Sequence, residues 1–351
     1  VAPDIVDDDH FGWPLDLQGE TALIGASSAE SDRGQAYVYD LAGGAWMQRD
    51  KLTATGLAEN DYFASSVALD GDTGVCGRDP GGIGGTGAAY VFDDMLGDYT
   101  AVEIAGPTRD ETAIEASKEA FPHGAETVVI ATGENWPDAL GGAALAGAHD
   151  GPILLTRSTM LPDAVAAEID RLGASKAIIL GETGAVSTEV EQALAAKLGT
   201  DSVRRIGGGD RYATAYLVGK AVIDELGANY DGTAFLATGA DFPDALAASP
   251  LAAAGPWPIF LASPYVPLEI ATDMKNLGIT DAIVLGGTAV VFQGYEDNLA
   301  FQLGAENVTR LAGPTRYETA VEVASHGVDE AGLCWNGMAL ATGENFPDAL
   351  A

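Results

Sequence analysis

One ten-residue phrase occurs three times, as ATGENWPDAL (Ala131–Leu140), ATGADFPDAL (Ala237–Leu246) and ATGENFPDAL (Ala341–Leu350). A second phrase, G-x-x-R-x-x-T-A, precedes each copy at Gly106–Ala113, Gly208–Ala215 and Gly313–Ala320. A third, AIILGETGAV (Ala177–Val186), returns as AIVLGGTAVV (Ala282–Val291). Phrases that recur in fixed order, 102 to 106 residues apart, mean that one structural unit is written repeatedly. The period exceeds the roughly 20–50 residues of a solenoid unit, so each copy is a small domain in its own right.

Inside a copy, apolar runs alternate with helical patterns. Glu126–Gly133, Gly151–Arg157 and Lys176–Gly181 read as buried strands. Pro137–Ala148, the amphipathic Leu161–Ala174 and Ser187–Gly199 read as helices, with Ser187 as N-cap. Near-continuous apolar strands separated by helices specify a parallel sheet covered on both faces. The apolar triplets Ile153, Leu154, Leu155 and Ile259, Phe260, Leu261 fall at central strand positions of the first two copies.

The recurring phrases have a physical grammar. Glycine after Ala-Thr permits a tight strand exit, and Pro137, Pro243 and Pro347 suit a first helical turn. Asp138, Asp244 and Asp348 then place a carboxylate at the positive end of a helix, worth about 0.3–1 kcal/mol. This junction lies at the carboxyl end of a strand, where open α/β sheets bind ligands, so the three aspartates are candidate ligand contacts as well as sound turn chemistry. Arg109, Arg211 and Arg316 hold one slot of the second phrase in a chain poor in cations, which demands a partner. Two remain open: a structural one, on a phrase aspartate or a neighbouring copy, and a bidentate grip on a ligand's carboxylate or phosphate.

Residues 1–98 are written differently. FGWPLDLQGETALIGA (Phe11–Ala26) is echoed by FASSVALDGDTGVCGR (Phe63–Arg78), and GQAYVYD (Gly34–Asp40) by GAAYVFD (Gly87–Asp93). Short alternating runs between Gly-Asp and Gly-Glu turns indicate antiparallel meanders of about 50 residues, the size of a propeller blade. These two units resemble FG-GAP repeats of integrin-like β-propellers, the second departing at Phe63-Ala64 where Phe-Gly is expected. Two blades do not close a propeller, and the chain starts without Met and stops inside its third ATG phrase, so truncation at both ends is expected. The resemblance brings calcium into view at Asp-rich propeller loops. Around Asp4, Asp7, Asp8 and Asp9 the D-x-D-x-D-G spacing is missing, so a solvated acidic face is expected, with no metal and no cofactor.

Fifty-two acidic residues oppose 17 basic ones, a net charge of −35, spread as 18 against 4 over residues 1–101 and 34 against 13 beyond. Such a surface repels nucleic acid and anionic membranes. It also repels itself, a penalty that shrinks when the Debye length falls to about 3 Å in 1 M salt, so adaptation to a salty medium is expected. No apolar run approaches a membrane span. No G-x-S-x-G elbow, metal-ligand spacing or paired Cys/His marks a catalytic centre, so no catalytic residue is expected within the chain.

The phrases E/R-I-A-G-x-x-R-x-E-T-A, ATGxxFPDALA, PILL and LGGT resemble those of the cell wall-binding repeat 2 family, over residues 102–351. Residues 102–203 and 204–308 form full copies and 309–351 a truncated third. The resemblance implies a non-catalytic extracellular anchor, associated with the cell wall or surface layer. Its copies pack on one another around a pseudo-threefold axis and bind an envelope polysaccharide or anionic wall polymer. It implies a role in that attachment for Ile153, Leu154 and Leu155, which the second copy departs from with Phe260, and Ala213 stands where the family pattern has Glu. The alternative is a piece of a secreted hydrolase whose catalytic residues lie outside this stretch.

Overall fold

A computed structural model describes residues 5–6, 8–42, 45–54, 57–70, 73–79, 87–93, 103–263, 269–333, 339, 341 and 343–346. The chain divides into two compact units, Val1–Val102 and Glu103–Ala351.

In the first unit β1 (Leu15–Gln18), β2 (Thr21–Ala26), β3 (Gln35–Ala42) and β4 (Ala45–Leu52) form an antiparallel meander in chain order. A single turn, α1 (Ala29–Asp32), interrupts it, with left-handed backbone at Glu30 and Ser31 (φ 53° and 62°). β5 (Phe63–Asp70), β6 (Thr73–Arg78) and β7 (Ala88–Asp93) make a second antiparallel sheet. The shared core lies between the sheets: Leu23, Ala36, Val38 and Leu52 meet Phe63, Leu69 and Cys76. Burial pushes the Cys76 thiol up to about 12. The acidic N-terminal run is not uniformly solvated as expected. Asp9 is buried, and its carboxylate accepts the Val6 N–H at 2.9 Å, closing a three-residue turn. Asp8 is exposed, and Asp4 and Asp7 lie outside the described residues.

The second unit opens with α2 (Arg109–Ala120), followed by β8 (Thr127–Thr132), α3 (Gly142–Ala148), β9 (Ile153–Thr156), α4 (Asp163–Leu172), β10 (Lys176–Leu180), α5 (Thr188–Leu198) and β11 (Val203–Ile206). The pattern restarts with α6 (Arg211–Leu226), β12 (Thr233–Thr238), α7 (Pro243–Ala247), α8 (Ser249–Ala254), β13 (Ile259–Ala262), α9 (Glu269–Asn276), β14 (Asp281–Leu285), α10 (Gln293–Leu303) and β15 (Val308–Leu311). The third copy contributes α11 (Arg316–Asp329). Two parallel four-stranded sheets result, ordered β11-β10-β8-β9 and β13-β12-β14-β15. The strand Val203–Ile206 straddles the expected 203/204 border and pairs with β10, while the helix after it packs on the next sheet.

Strand residues divide by parity. Val128 and Ile130 face a core private to the first copy, and Ala234 and Leu236 one private to the second. Val129, Ala131, Phe235 and Ala237 join a common core that reaches Leu311 and Val323. Burial on both faces is why these strands read as continuous apolar runs. β9 and β13 are edge strands, not central ones: each pairs with a single neighbour, and helices rather than further strands supply their burial. The expected helix Pro137–Ala148 is regular only from Gly142, and its second-copy counterpart divides into α7 and α8 where Pro250 withdraws an N–H. The Ala/Gly-rich sequence of α3 has a packing cause. Gly147 lies on the backbone of Ala253 in α8, leaving no space for a Cβ.

Candidate functional site

The three copies of G-x-x-R-x-x-T-A fold identically. The N–H groups of Gly106, Gly208 and Gly313 donate to the hydroxyls of Thr112, Thr214 and Thr319, each at 3.1 Å. This returns the loop onto the first helical turn, where a Cβ at Gly106 would stand 2.5 Å from Glu111. Thr108 and Thr315 cap α2 and α11 with Glu111 and Glu318 three residues on, as in a capping box. In α6 the cap is Asp210, which accepts the Ala213 N–H at 2.8 Å. A carboxylate cap needs no reciprocal glutamate, which accounts for Ala213.

The arginines join the two phrases. Arg109 Nη1 donates to the Gly133 carbonyl, Arg211 Nη1 to Gly239 at 2.8 Å and Arg316 Nη1 to Gly343 at 2.6 Å. Each acceptor is the glycine of that copy's own ATG turn. Each guanidinium also lies over an aromatic ring of another copy: Arg109 over Phe346 (5.8 Å), Arg211 over Trp136 (4.7 Å) and Arg316 over Phe242 (5.8 Å). The pairs run from first copy to third, second to first and third to second, a closed cycle. At its centre Trp136 and Phe242 stand 6.1 Å apart and Phe242 and Phe346 5.8 Å. Arg316 further ion-pairs with Asp241 at 3.6 Å. The partner of each arginine is thus a carbonyl and a ring, not one of the phrase aspartates.

The phrase aspartates sit behind this ring. A Cβ at Gly181 would lie 2.6 Å from the Asp138 carboxylate, and Gly286 is in contact with that of Asp244. Both glycines have positive φ (88° and 89°). Burial and then the charge of Asp241 raise the Asp244 pKa, against the opposing effects of Arg316 and a Thr319 hydrogen bond. Asp348 lies outside the described residues. Ile153, Leu154 and Leu155 are buried on β9, Leu154 toward the private core and the other two toward the common one.

At the carboxyl ends of β8 and β9 a concavity of about 620 Å³ is lined by Pro107, Thr108, Arg109, Glu134 and Arg157. Arg157 follows β9 directly, and its side chain is 46% exposed. Its Nε donates to Asp110 at 2.9 Å, a bond that raises the pKa of the guanidinium. The other carboxylate oxygen of buried Asp110 has no hydrogen-bond partner. Two cations and a threonine hydroxyl here can receive an anionic group, with Glu134 opposing.

Sequence reasoning passed over Arg157 and a second arginine pair. Arg205 donates to the Gly181 carbonyl (2.8 Å) and to Glu191 (2.8 Å), and Arg310 donates to Gly286 (2.5 Å) and Glu296 (2.7 Å). The signal was available: Arg205/Arg310 and Glu191/Glu296 recur at the same 105-residue spacing. Among the described residues no cluster of His, Cys, Asp and Glu is arranged to hold a metal. No helix among them is long and apolar enough to cross a membrane.

The family model for cell wall binding domain 2 (CWB2) matches residues 103–191, 205–296 and 310–351. The chain belongs to this family. Its role is cell wall binding, which agrees with a site built from repeated turns at strand ends. The FG-GAP repeat model matches residues 1–39 and 46–92. N-acetylmuramoyl-L-alanine amidase LytC of Bacillus subtilis (strain 168) is 30% identical over 257 residues, 73% of this chain and 48% of the relative. The amidase enhancer of the same organism is 28% identical over 265 residues, 74% of this chain and 34% of the relative. The chain therefore spans half or less of the curated relatives it matches. Of solved structures, Cwp8 from Clostridium difficile is similar at TM-score 0.56 and 26% identity, covering 72% of this chain and 44% of its own. Cwp6 from the same organism is similar in fold at TM-score 0.58 and 22% identity, covering 90% and 56%.

Proposed function

We propose that the CWB2 unit anchors this protein outside the cell by holding an anionic polymer of the envelope, with the N-terminal unit carried as an interaction domain. The supporting observation is the convergence of Arg109 and Arg157 on one concavity at the strand ends, in a chain with only 17 basic residues. Guanidinium groups grip carboxylate and phosphate in two-point geometry. Arg157 supplies the contact, Arg109 shares it while tying the ATG turn, and the buried Ile153, Leu154 and Leu155 hold the strand beneath. Asp138, Asp244 and Asp348 shape the turns and stay out of contact with polymer. The remaining acidity suits a medium of high ionic strength, where repulsion between a −35 protein and an anionic polymer is screened. The enzyme reading leans on the name of a relative of which this chain spans 48%, and we assign no catalytic role to these residues.

The test is co-sedimentation of the full chain with purified envelopes at about 1 M salt, where screening is nearly complete. Wild type pellets; a supernatant fraction indistinguishable from a non-binding control overturns the anchor. Arg157→Gln with Asp110→Asn, which avoids leaving a buried charge unpaired, weakens binding at least tenfold with unchanged melting. Unchanged binding by that double variant moves the contact away from this concavity.

A further inference from the structure

The two N-terminal sheets carry the same repeat, and their packing shows what one face of it is for. In the first sheet the pairs Leu15–Ile24, Leu17–Ala22, Ala22–Tyr39 and Ile24–Tyr37 put six apolar side chains on one face. The second sheet repeats this register as Val67–Cys76, Leu69–Gly74, Gly74–Phe92 and Cys76–Tyr90. There the face is covered, because it packs with Phe63 onto the opposite face of the first sheet, at Leu23, Ala36, Val38 and Leu52. In the first sheet the equivalent face is open. Leu15, Leu17, Ala22, Ile24, Tyr39 and Trp46 line an apolar concavity of about 370 Å³, with Leu15 and Leu17 55% and 53% exposed.

The far side shows the complementary situation. The residues standing where Leu23, Ala36 and Val38 stand are Val75, Ala89 and Val91, of which Ala89 is exposed and Val91 is 63% exposed. Each sheet thus repeats both halves of one interface, and the chain uses only one of each internally. We propose that the concavity on the first sheet seats the Val75/Ala89/Val91 face of a second copy of this chain, docked as the second sheet docks on the first. Copies then join head to tail, a heterologous contact that grows into rings or open chains.

Two features set its strength. Inside the chain the Leu69 N–H donates to Asp16 Oδ2 at 2.7 Å across the interface. Ala68 occupies the place of Asp16 in the second sheet, so the contact between copies lacks that bond and is weaker than the internal one. Each copy also carries a net charge of −35, so association tightens as salt screens the repulsion.

Sedimentation velocity of the full chain, from low micromolar to about 100 μM at about 0.1 M and 1 M salt, tests this, since the Debye length falls from about 10 Å to 3 Å between them. A sedimentation coefficient that rises with concentration, and rises earlier at high salt, is expected. Leu17→Asp and Val91→Asp, both at exposed positions, should each abolish the rise while leaving the melting temperature unchanged. Mixed at equal concentration they should restore a dimer and nothing larger, because each retains one intact face. Ala68→Asp, which supplies the missing acceptor, should tighten association at high salt. Monomers throughout, or association that survives both variants, would overturn the proposal. Self-association of Val91→Asp alone would also overturn it, by showing concavity-to-concavity pairing.

Discussion

The first and second CWB2 copies make the same helix-to-strand joint from opposite chemistries. In the first, Ser117 Oγ on α2 donates to the buried Glu168 of α4 at 2.6 Å. Arg171 closes the network on Glu168 at 2.7 Å and on the Phe121 carbonyl at 3.2 Å. In the second copy the position of Ser117 is Gly219, and a Cβ there would fall 2.7 Å from the ring of Phe260. Phe260 stands where the first copy has Leu154. The larger strand residue occupies the space that the helix side chain has vacated. The change from Ile-Leu-Leu to Ile-Phe-Leu is therefore a packing exchange between β13 and α6. The difference teaches that a shared fold fixes the volume at a joint and leaves its polarity free.

The comparison is most exposed at Phe260. Phe260→Ala should cost about 3–5 kcal/mol in denaturant unfolding, since nothing collapses into the space over a glycine. A loss below about 1 kcal/mol would mean the ring is not the filler. Gly219→Ser, which imports the first copy's residue alone, should cost about 1–3 kcal/mol through overpacking. Combined with Phe260→Leu it should cost less than the sum of the single changes, and simple additivity in that cycle would separate the two positions.

The polar version of the joint is tested by acid. Burial opposes ionisation of Glu168, but hydrogen bonds from Arg171 and Ser117 outweigh it and hold the pKa below the ordinary value of 4.5. A lowered folded-state pKa gives stability that is complete above the unfolded value and lost as pH falls through the folded one. Glu168→Gln should therefore cost about 1–2 kcal/mol at pH 7 and flatten the decline below pH 4.5 in urea melts against pH. An acid limb identical to wild type would remove Glu168 from the account. The N-terminal sheets repeat the lesson at smaller scale. Gly12 of the first Phe-Gly has φ 91°, and Ala64, its counterpart, is held at φ 60°. Ala64→Gly should raise stability by about 0.5–1 kcal/mol, the left-handed penalty of an L-residue less the entropy of glycine, read as a small rise in melting temperature.

Much of the fold was legible. β8, β10, β12 and β14 announce themselves as apolar runs because both their faces are buried, and the Gly173 end of α4 (φ 66°) follows from its sequence. The recurring arginines were legible as a site in need of partners. Their partners were not, because a backbone carbonyl has no sequence signature and an aromatic ring a hundred residues away has no local one. The edge position of β9 escaped for a related reason: a strand buried by helices reads the same as one buried by strands. Asp9 escaped because the bond to the Val6 N–H that buries it depends on a turn, not on composition.

The sequence by itself determined the repeat period, the alternation of strands and helices and the CWB2 grammar of Gly, Arg, Thr and Pro-Asp, since these rest on local steric and hydrogen-bonding preferences. It also carried the acidity that bounds the protein's partners. Only the tertiary structure decided that each arginine ties its own turn to another copy's ring, and that Arg157 reaches Arg109 across 48 residues of chain. It alone left one apolar face of the first N-terminal sheet open. Those outcomes depend on which surfaces meet in space, and hydrophobic burial and Coulomb attraction act on distance between atoms, not on position along the chain.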